Sequence, residues 1–140
     1  MAPEIISEAG HNMQADWWAF GIMLYELATG DPPFNHTDLE KLADDICFKD
    51  LPLKSEFSSE FSDLIERLLH KLPKQRLGNK KGATDIKAHP FFKSINWETV
   101  LNKGLKPPIV PMAVPESEDP LCPSQQNRNP YELLSRNFDK

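Results

Sequence analysis

The sequence has little cysteine and no excess of positive charge. The first feature argues against a disulfide framework or a cysteine-based metal site, and the second argues against binding to nucleic acid. Its 140 residues contain two cysteines, Cys47 and Cys122, which lie far apart without a His or Cys at metal-ligand spacing. We therefore expect reduced, unpaired thiols rather than a disulfide framework or a metal site. The net charge of −5 argues against a nucleic acid partner, because proteins that bind nucleic acid present a basic face.

The chain also lacks a long hydrophobic run. Its most apolar stretch, Trp17–Leu24, is too short to span a bilayer and is bracketed by Asp16 and Glu26. The first residues do not follow the basic-then-apolar order of a secretory leader. These features predict no association with a membrane and an intracellular, cytoplasmic location.

Strand-like alternation of apolar and polar residues is missing as well, so the sequence predicts a mainly α fold. A helix from near Asp16 to Thr29 is expected to end at Gly30 in the left-handed conformation, with two prolines after it. Its apolar residues surround the helix axis, which predicts burial on every side. Such burial requires more neighbours than the remaining predicted helices readily supply.

Two amphipathic helices are predicted next. Thr37 and Glu40 are expected to form a capping box in front of the first, and Ser58 or Ser59 is expected to cap the second, which Pro73 would stop. The apolar face of the first is Leu39, Leu42, Ala43 and Ile46, and that of the second is Phe61, Leu64, Ile65, Leu68, Leu69 and Leu72.

The last part of the predicted body contains a short helix and three aromatic anchors. The helix is expected to run roughly from Thr84 to His89. It should end before Pro90, because a proline disfavours the helical conformation of the residue in front of it. The anchors are Phe91, Phe92 and Trp97.

Proline is concentrated at the end of the chain. Seven of the thirteen prolines are Pro107, Pro108, Pro111, Pro115, Pro120, Pro123 and Pro130. From Gly104 the composition shifts to proline, serine, asparagine and acidic residues, which bury little apolar surface. The sequence therefore predicts a folded body over residues 1–103 and an extended tail over residues 104–140.

Several motifs, in this order, resemble the second half of a eukaryotic protein kinase domain. They are Ala2-Pro3-Glu4, Asp16-Trp17-Trp18-Ala19-Phe20-Gly21, Tyr25-Glu26-Leu27, Gly30-Asp31-Pro32-Pro33-Phe34, Arg76-Leu77-Gly78 and His89-Pro90-Phe91-Phe92. The doubled tryptophan, the Arg-Leu-Gly turn and the tail are similar to the AGC group of serine/threonine kinases. The resemblance implies the helical subdomain of the kinase large lobe, followed by part of the AGC C-terminal tail.

The resemblance also implies roles for individual residues. Glu4 and Arg76 would form an ion pair that stabilises the lobe. Asp16 would accept hydrogen bonds from the backbone of the catalytic loop, with a plain helix cap as the alternative. Glu26 would face an arginine of a protein substrate, and a solvated or locally capped glutamate is about an even alternative.

Further implied roles lie at the two ends of the chain. Met1 and Ala2 would belong to the loop that seats the substrate residue following the phosphoacceptor. In the tail, the segment beginning at Pro107 is similar to the one that tethers the AGC tail to the small lobe. Phe138 and Asp139 would begin the segment that crosses the nucleotide cleft.

The motifs that carry catalysis in this family are absent from the 140 residues. There is no G-x-G-x-x-G, no His-Arg-Asp and no Asp-Phe-Gly. A full-length parent would use ATP and magnesium to phosphorylate Ser or Thr near basic residues, whereas this chain alone is predicted to hold no cofactor, no metal and no catalytic residue. Its partners would be the missing N-terminal half of the kinase domain and the parent's substrates.

Two other interpretations stay open at this point. The chain could be a non-catalytic module that binds kinase substrates or regulators of the large lobe. A chance match by an unrelated helical protein is the third interpretation.

Overall fold

A computed structural model describes residues 1–109, and within this range the chain forms helices and turns without a strand. The α-helices are α1 (Pro3–Ile6), α2 (Gln14–Thr29), α3 (Leu39–Phe48), α4 (Ser59–Leu68), α5 (Ala83–Lys87) and α6 (Trp97–Leu101), and 3-10 turns lie at Pro73–Gln75 and Pro90–Phe92. The predicted mainly α fold is confirmed. None of these helices has the length and apolar character needed to cross a membrane.

The chain divides into two units, Met1–Gly104 and Leu105–Lys140. The second unit is described only over residues 105–109, all of which are exposed. Phe138 and Asp139 lie outside the described residues.

The core of the first unit forms where α2 packs against α4. A Cβ atom placed on Gly21 of α2 would lie 2.8 Å from Leu69 Cδ2 and 3.0 Å from Leu68 Cβ, so the absent side chain lets the two segments come close. Around this approach the buried apolar side chains are Trp18, Tyr25, Phe61, Leu64, Ile65, Leu68 and Leu69. Their burial is the main apolar contribution to the stability of the unit.

Helix α2 begins at Gln14, two residues before the predicted start, and ends as expected. Gly30 has φ 83° and donates its N–H to Glu26 O at 2.7 Å, which is the predicted left-handed cap. Met13 occupies the N-terminal cap position and supplies no side-chain hydrogen bond. Because Asp16 lies inside the first turn, the alternative role of Asp16 as a plain helix cap is wrong.

Helix α2 is covered on one side only in the described chain, which agrees with the expectation that the other predicted helices do not supply neighbours on every side. One residue in each turn is buried, namely Gln14, Trp18, Gly21 and Tyr25. On the opposite side Met23 is 47% exposed and Leu27 is 77% exposed. The physical reason is that the described elements cover only one side of this helix.

Helix α3 is capped by Asp38 rather than by Thr37. Asp38 Oδ1 accepts hydrogen bonds from Glu40 N at 2.9 Å and Lys41 N at 3.4 Å. The predicted capping box is therefore wrong, because the helix starts one residue later and Glu40 lies in its first turn. Leu39 is 79% exposed and does not belong to the packed face.

Helix α4 is capped by Ser58, whose Oγ accepts from Phe61 N at 3.2 Å. It ends at Leu68, so the prediction that Pro73 stops it is wrong. Leu72 lies beyond the helix and is 57% exposed, which removes it from the predicted stripe. After the helix the backbone turns so that the His70 carbonyl accepts from Arg76, and a continued helix would not present it there.

The end of the first unit differs from the prediction by a few residues. Helix α5 ends at Lys87, and His89 instead accepts from Phe91 N and so caps the following 3-10 turn. Phe92 is buried and its ring centroid lies 5.6 Å from that of Trp97, as expected of anchors. Phe91 is 38% exposed and anchors less than predicted.

Candidate functional site

The structure brings Glu4 and Arg76 together across 72 positions of the sequence. Arg76 Nη1 donates to Glu4 Oε1 at 2.7 Å, and Nη2 donates to Glu4 Oε2 at 2.9 Å. The exposed fractions of the two side chains are 0% for Arg76 and 5% for Glu4. This bidentate geometry is the strongest form of an arginine–carboxylate contact.

Arg76 also donates hydrogen bonds to two backbone carbonyls, one at the start of α2 and one after α4. Its Nη1 donates to Gln14 O at 2.7 Å, and its Nε donates to His70 O at 3.1 Å. The guanidinium lies 5.2 Å from the ring centroid of Trp18. A single buried cation therefore joins helix α1, the start of α2 and the segment after α4.

The charges of this pair stabilise each other. Burial by itself raises the pKa of Glu4, but the hydrogen bonds and the charge of Arg76 outweigh it and hold the pKa below the ordinary value of 4.5. Glu4 is therefore ionised at neutral pH. A buried charge without such a partner would be strongly unfavourable.

Gln14 supports this site, and the sequence offered no signal for it. Its Nε2 donates to Gly78 O at 3.2 Å while its backbone carbonyl accepts from Arg76. Gly78 has φ 87°, and a Cβ atom on it would lie 2.9 Å from the indole of Trp17. The Arg-Leu-Gly turn thus needs glycine both for its backbone conformation and for the close approach of that indole.

Lys71 is a second cation that sequence reasoning missed. Its Nζ donates to Ile46 O at 2.7 Å and lies 4.2 Å from the ring centroid of Phe34 and 5.4 Å from that of Trp18. Burial lowers the pKa of Lys71. The Lys71 side chain therefore connects the last turn of α3 with the rings of Trp18 and Phe34, through a hydrogen bond and cation–π contacts.

Asp16 and Glu26 both lie on the exposed side of α2. At 100° per residue they share an arc with Ala19, Met23 and Leu27, opposite Trp18 and Tyr25. Neither carboxylate forms an ion pair in the described part of the chain. The roles in catalytic-loop support and substrate recognition stay predictions for both residues.

Met1 and Ala2 occupy different environments. Met1 is 83% exposed, whereas Ala2 is 1% exposed and belongs to the core cluster with Trp18 and Phe34. The Ala2 carbonyl accepts from Ile5 N at 3.0 Å, at the start of α1. The proposed contact with substrate stays a prediction for both residues.

No group of three or more His, Cys, Asp or Glu side chains able to hold a metal ion lies within residues 1–109. A magnesium site in phosphoryl transfer is built from carboxylates together with phosphate oxygens. The absence of a cofactor and of a metal from this chain alone stays a prediction.

Comparisons with known proteins give the family. A family model described as the protein kinase domain matches residues 1–92. A probable serine/threonine-protein kinase of Dictyostelium discoideum is 43% identical over 107 residues, which are 75% of this chain and 5% of the relative. The serine/threonine-protein kinase KIPK2 of Arabidopsis thaliana is 44% identical over 102 residues, 71% of this chain and 11% of the relative. The chain thus spans a small part of the length of both relatives.

Proposed function

The chain belongs to the protein kinase family, and we propose that it is the C-terminal part of the kinase domain of an AGC-type serine/threonine kinase. The parent enzyme transfers phosphate from ATP to Ser or Thr of protein substrates. Residues 1–103 are the helical subdomain of its large lobe, and residues 104–140 are part of its AGC C-terminal tail. The names of the two relatives, both serine/threonine kinases, support the parent activity.

The observation that carries this proposal is the uncovered side of α2. Met23 and Leu27 expose apolar surface there, between the carboxylates of Asp16 and Glu26. Apolar side chains left in water lose about 25 cal/mol for each Å² that burial would have removed. The preceding half of the kinase domain covers this side in the parent enzyme.

The carboxylates on that side have distinct roles in the proposed parent. Asp16 accepts hydrogen bonds from the backbone of the catalytic loop and holds the loop in shape. Glu26, ten residues further along the helix, pairs with an arginine of the substrate, a charge-assisted contact that is often bidentate. Met1 and Ala2 belong to the loop that seats the residue after the phosphoacceptor.

ATP and magnesium bind to the preceding half of the parent, where the glycine-rich loop and the catalytic loop lie. Phe138 and Asp139 begin the tail segment that crosses the nucleotide cleft. The 140 residues alone therefore transfer no phosphate.

The test uses an antibody raised against residues 116–134. The native protein is immunoprecipitated from an extract of the source organism, its mass is determined, and labelled ATP is offered with an arginine-rich peptide. We expect a species heavier than the 16.0 kDa of this chain, with phosphate transfer that falls when the arginines of the peptide are replaced by alanine. The recombinant 140-residue chain is the control and should show no turnover.

Two results would contradict the proposal. A native species of 16.0 kDa without turnover would favour the non-catalytic module, which binds substrates or regulators of a kinase lobe. Nucleotide-saturable turnover by the recombinant chain would contradict the assignment of the ATP site to the preceding half.

A further inference from the structure

Positive charge is concentrated in one stretch of a chain that is acidic overall. Residues 67–84 contain no Asp or Glu, although the whole chain has 21 acidic residues against 16 Lys and Arg. The basic residues of this stretch are Arg67, Lys71, Lys74, Arg76, Lys80 and Lys81. Such segregation creates a local positive potential that the net charge of −5 conceals.

Two of these cations form contacts inside the first unit, and the others are exposed to solvent. Arg76 is paired with Glu4, and Lys71 is bonded to Ile46 O. Lys74 and Lys80 are exposed and form no ion pair within residues 1–109. Their charge is therefore available to a ligand.

Three of the exposed cations line a cleft rather than a flat face. The cleft has a volume of about 440 Å³, and Arg67, Lys74 and Lys80 contribute to its walls. Volumes of this order are typical of sites for small ligands or single side chains. Asp85 also lines the cleft, and its Oδ2 accepts from Lys81 N at 2.8 Å, so one carboxylate lies among the three cations.

Arg67 can turn towards a ligand without leaving its present partner unsatisfied. Its Nε donates to Asp63 Oδ1 at 2.8 Å, while His89 Nε2 lies 2.9 Å from Asp63 Oδ2. Asp63 is also 43% exposed, so water can take the place of Arg67. Breaking an exposed pair of this kind costs little.

Hydrogen bonds hold the backbone of residues 77–79, which forms the floor of the cleft. Leu77 N donates to Arg67 O at 2.9 Å, which ties the turn to α4. Asn79 Nδ2 donates to Lys74 O at 2.8 Å, and Gly78 O accepts from Gln14. A rigid floor lowers the entropy lost when a ligand binds.

We propose that the cleft lined by Arg67, Lys74 and Lys80 binds a phosphorylated side chain of a protein segment. A phosphate monoester carries about −1.5 to −2 charges and three acceptor oxygens, so it can engage several converging cations where a single carboxylate engages fewer. The concave shape favours such a group over a membrane, which requires an extended surface. The proposal is independent of the parent's catalytic activity.

The test measures the binding of a fluorescein-labelled peptide with one phosphoserine between glycine and serine residues to the full 140-residue chain. Matched peptides carry serine or glutamate at the same position. We expect the phosphopeptide to bind at least tenfold more tightly than either, and its addition to shift the amide NMR signals of residues 77–81. Equal affinity for the glutamate peptide, or shifts elsewhere only, would overturn the proposal.

A pair of double variants separates the cleft from the general charge of the protein. Lys74→Gln/Lys80→Gln should weaken phosphopeptide binding at least tenfold. Lys41→Gln/Lys49→Gln removes the same charge from exposed lysines of α3 and its C-terminal cap and should leave binding within twofold. Circular dichroism of both variants checks that they fold alike. Equal weakening in the two variants would overturn the proposal.

Vesicles of phosphatidylcholine with 20% phosphatidylserine provide the last arm. We expect no sedimentation of the chain with these vesicles under conditions in which the phosphopeptide binds. Vesicle binding that Lys74→Gln/Lys80→Gln abolishes, without phosphopeptide binding, would assign the cleft to a membrane instead and overturn the proposal.

Discussion

Arg76 lies over the indole ring of Trp18, with its guanidinium carbon 5.2 Å from the ring centroid. The contact joins two of the sequence motifs that carry the kinase resemblance, because Trp18 belongs to the first turns of α2 and Arg76 precedes the Leu-Gly turn. The same guanidinium holds Glu4 through two hydrogen bonds. The buried cation therefore connects α1 with the start of α2.

The first prediction is that Glu4 and Arg76 stabilise the fold as a pair. Glu4→Gln and Arg76→Met should each lower the free energy of unfolding by about 3–5 kcal/mol, because each leaves an unpaired buried group. The double variant should lose clearly less than the sum, in a double-mutant cycle measured by urea denaturation.

The exposed pair of Asp45 and Lys49, 2.8 Å apart at the end of α3, is the control for this cycle. Asp45→Asn and Lys49→Met should show a coupling of about 0.3–0.5 kcal/mol. Simple additivity of the Glu4 and Arg76 variants would contradict the pairing.

The second prediction concerns acid. The pKa of Glu4 is lowered in the folded chain from its ordinary value of 4.5, so the unfolded state binds the proton more readily. The stabilisation by Glu4 is therefore present above pH 4.5 and is lost as the pH falls through the lowered value. Urea denaturation from about pH 7 to about pH 3 should show this loss in the native chain and a smaller one in Glu4→Gln. Equal slopes in both proteins would contradict it.

The third prediction separates backbone strain from crowding at two glycines. Gly10 has φ 82° and open space where a Cβ atom would lie, whereas Gly78 has φ 87° and its Cβ would meet the Trp17 indole at 2.9 Å. Gly10→Ala should cost about 1–2 kcal/mol through its backbone conformation. Gly78→Ala should cost about 1–3 kcal/mol more, because the indole must move. Thermal melts of both variants provide the comparison, and similar melting temperatures would contradict the role of Trp17.

The fourth prediction concerns the start of α3. Asp38→Ala should destabilise the helix by about 1 kcal/mol, because Glu40 N and Lys41 N lose their acceptor. Thr37→Ala, one residue earlier, should change the unfolding free energy by less than about 0.5 kcal/mol. Hydrogen exchange of the α3 amides in the two variants checks the assignment, and faster exchange in Thr37→Ala would reverse it.

The fifth prediction tests Glu26 in the proposed parent enzyme. Glu26→Gln should raise KM for an arginine-containing peptide about tenfold or more, because a charge-assisted contact is lost. It should leave KM for the matching alanine peptide unchanged. Glu40→Gln, at an exposed acid of α3, is the control and should affect neither peptide. An equal effect of Glu26→Gln on both peptides would exclude recognition of the arginine.

Much of the fold could be predicted because its signals are local. The left-handed cap at Gly30, the Ser58 cap of α4 and the stripe from Phe61 to Leu69 depend on residues a few positions apart. The ends of helices were predicted less well. Helix α4 ends at Leu68, and two residues later the carbonyl of His70 accepts from Arg76, a contact that no signal within the helix indicates.

The candidate site likewise contains features that the sequence predicted and features that only the structure revealed. The sequence by itself determined the helical class through residue types at recognisable spacings, and it determined the order of the kinase motifs. The choice of Glu4 and Arg76 as partners was implied by the resemblance to protein kinases and by no spacing between the two residues. Only the tertiary structure decided that Gln14 supports Arg76, that Lys71 reaches Ile46, and that Lys74 and Lys80 share a cleft. These contacts depend on how α2, α4 and the turn between residues 76 and 82 pack in space, and no short-range pattern encodes that packing.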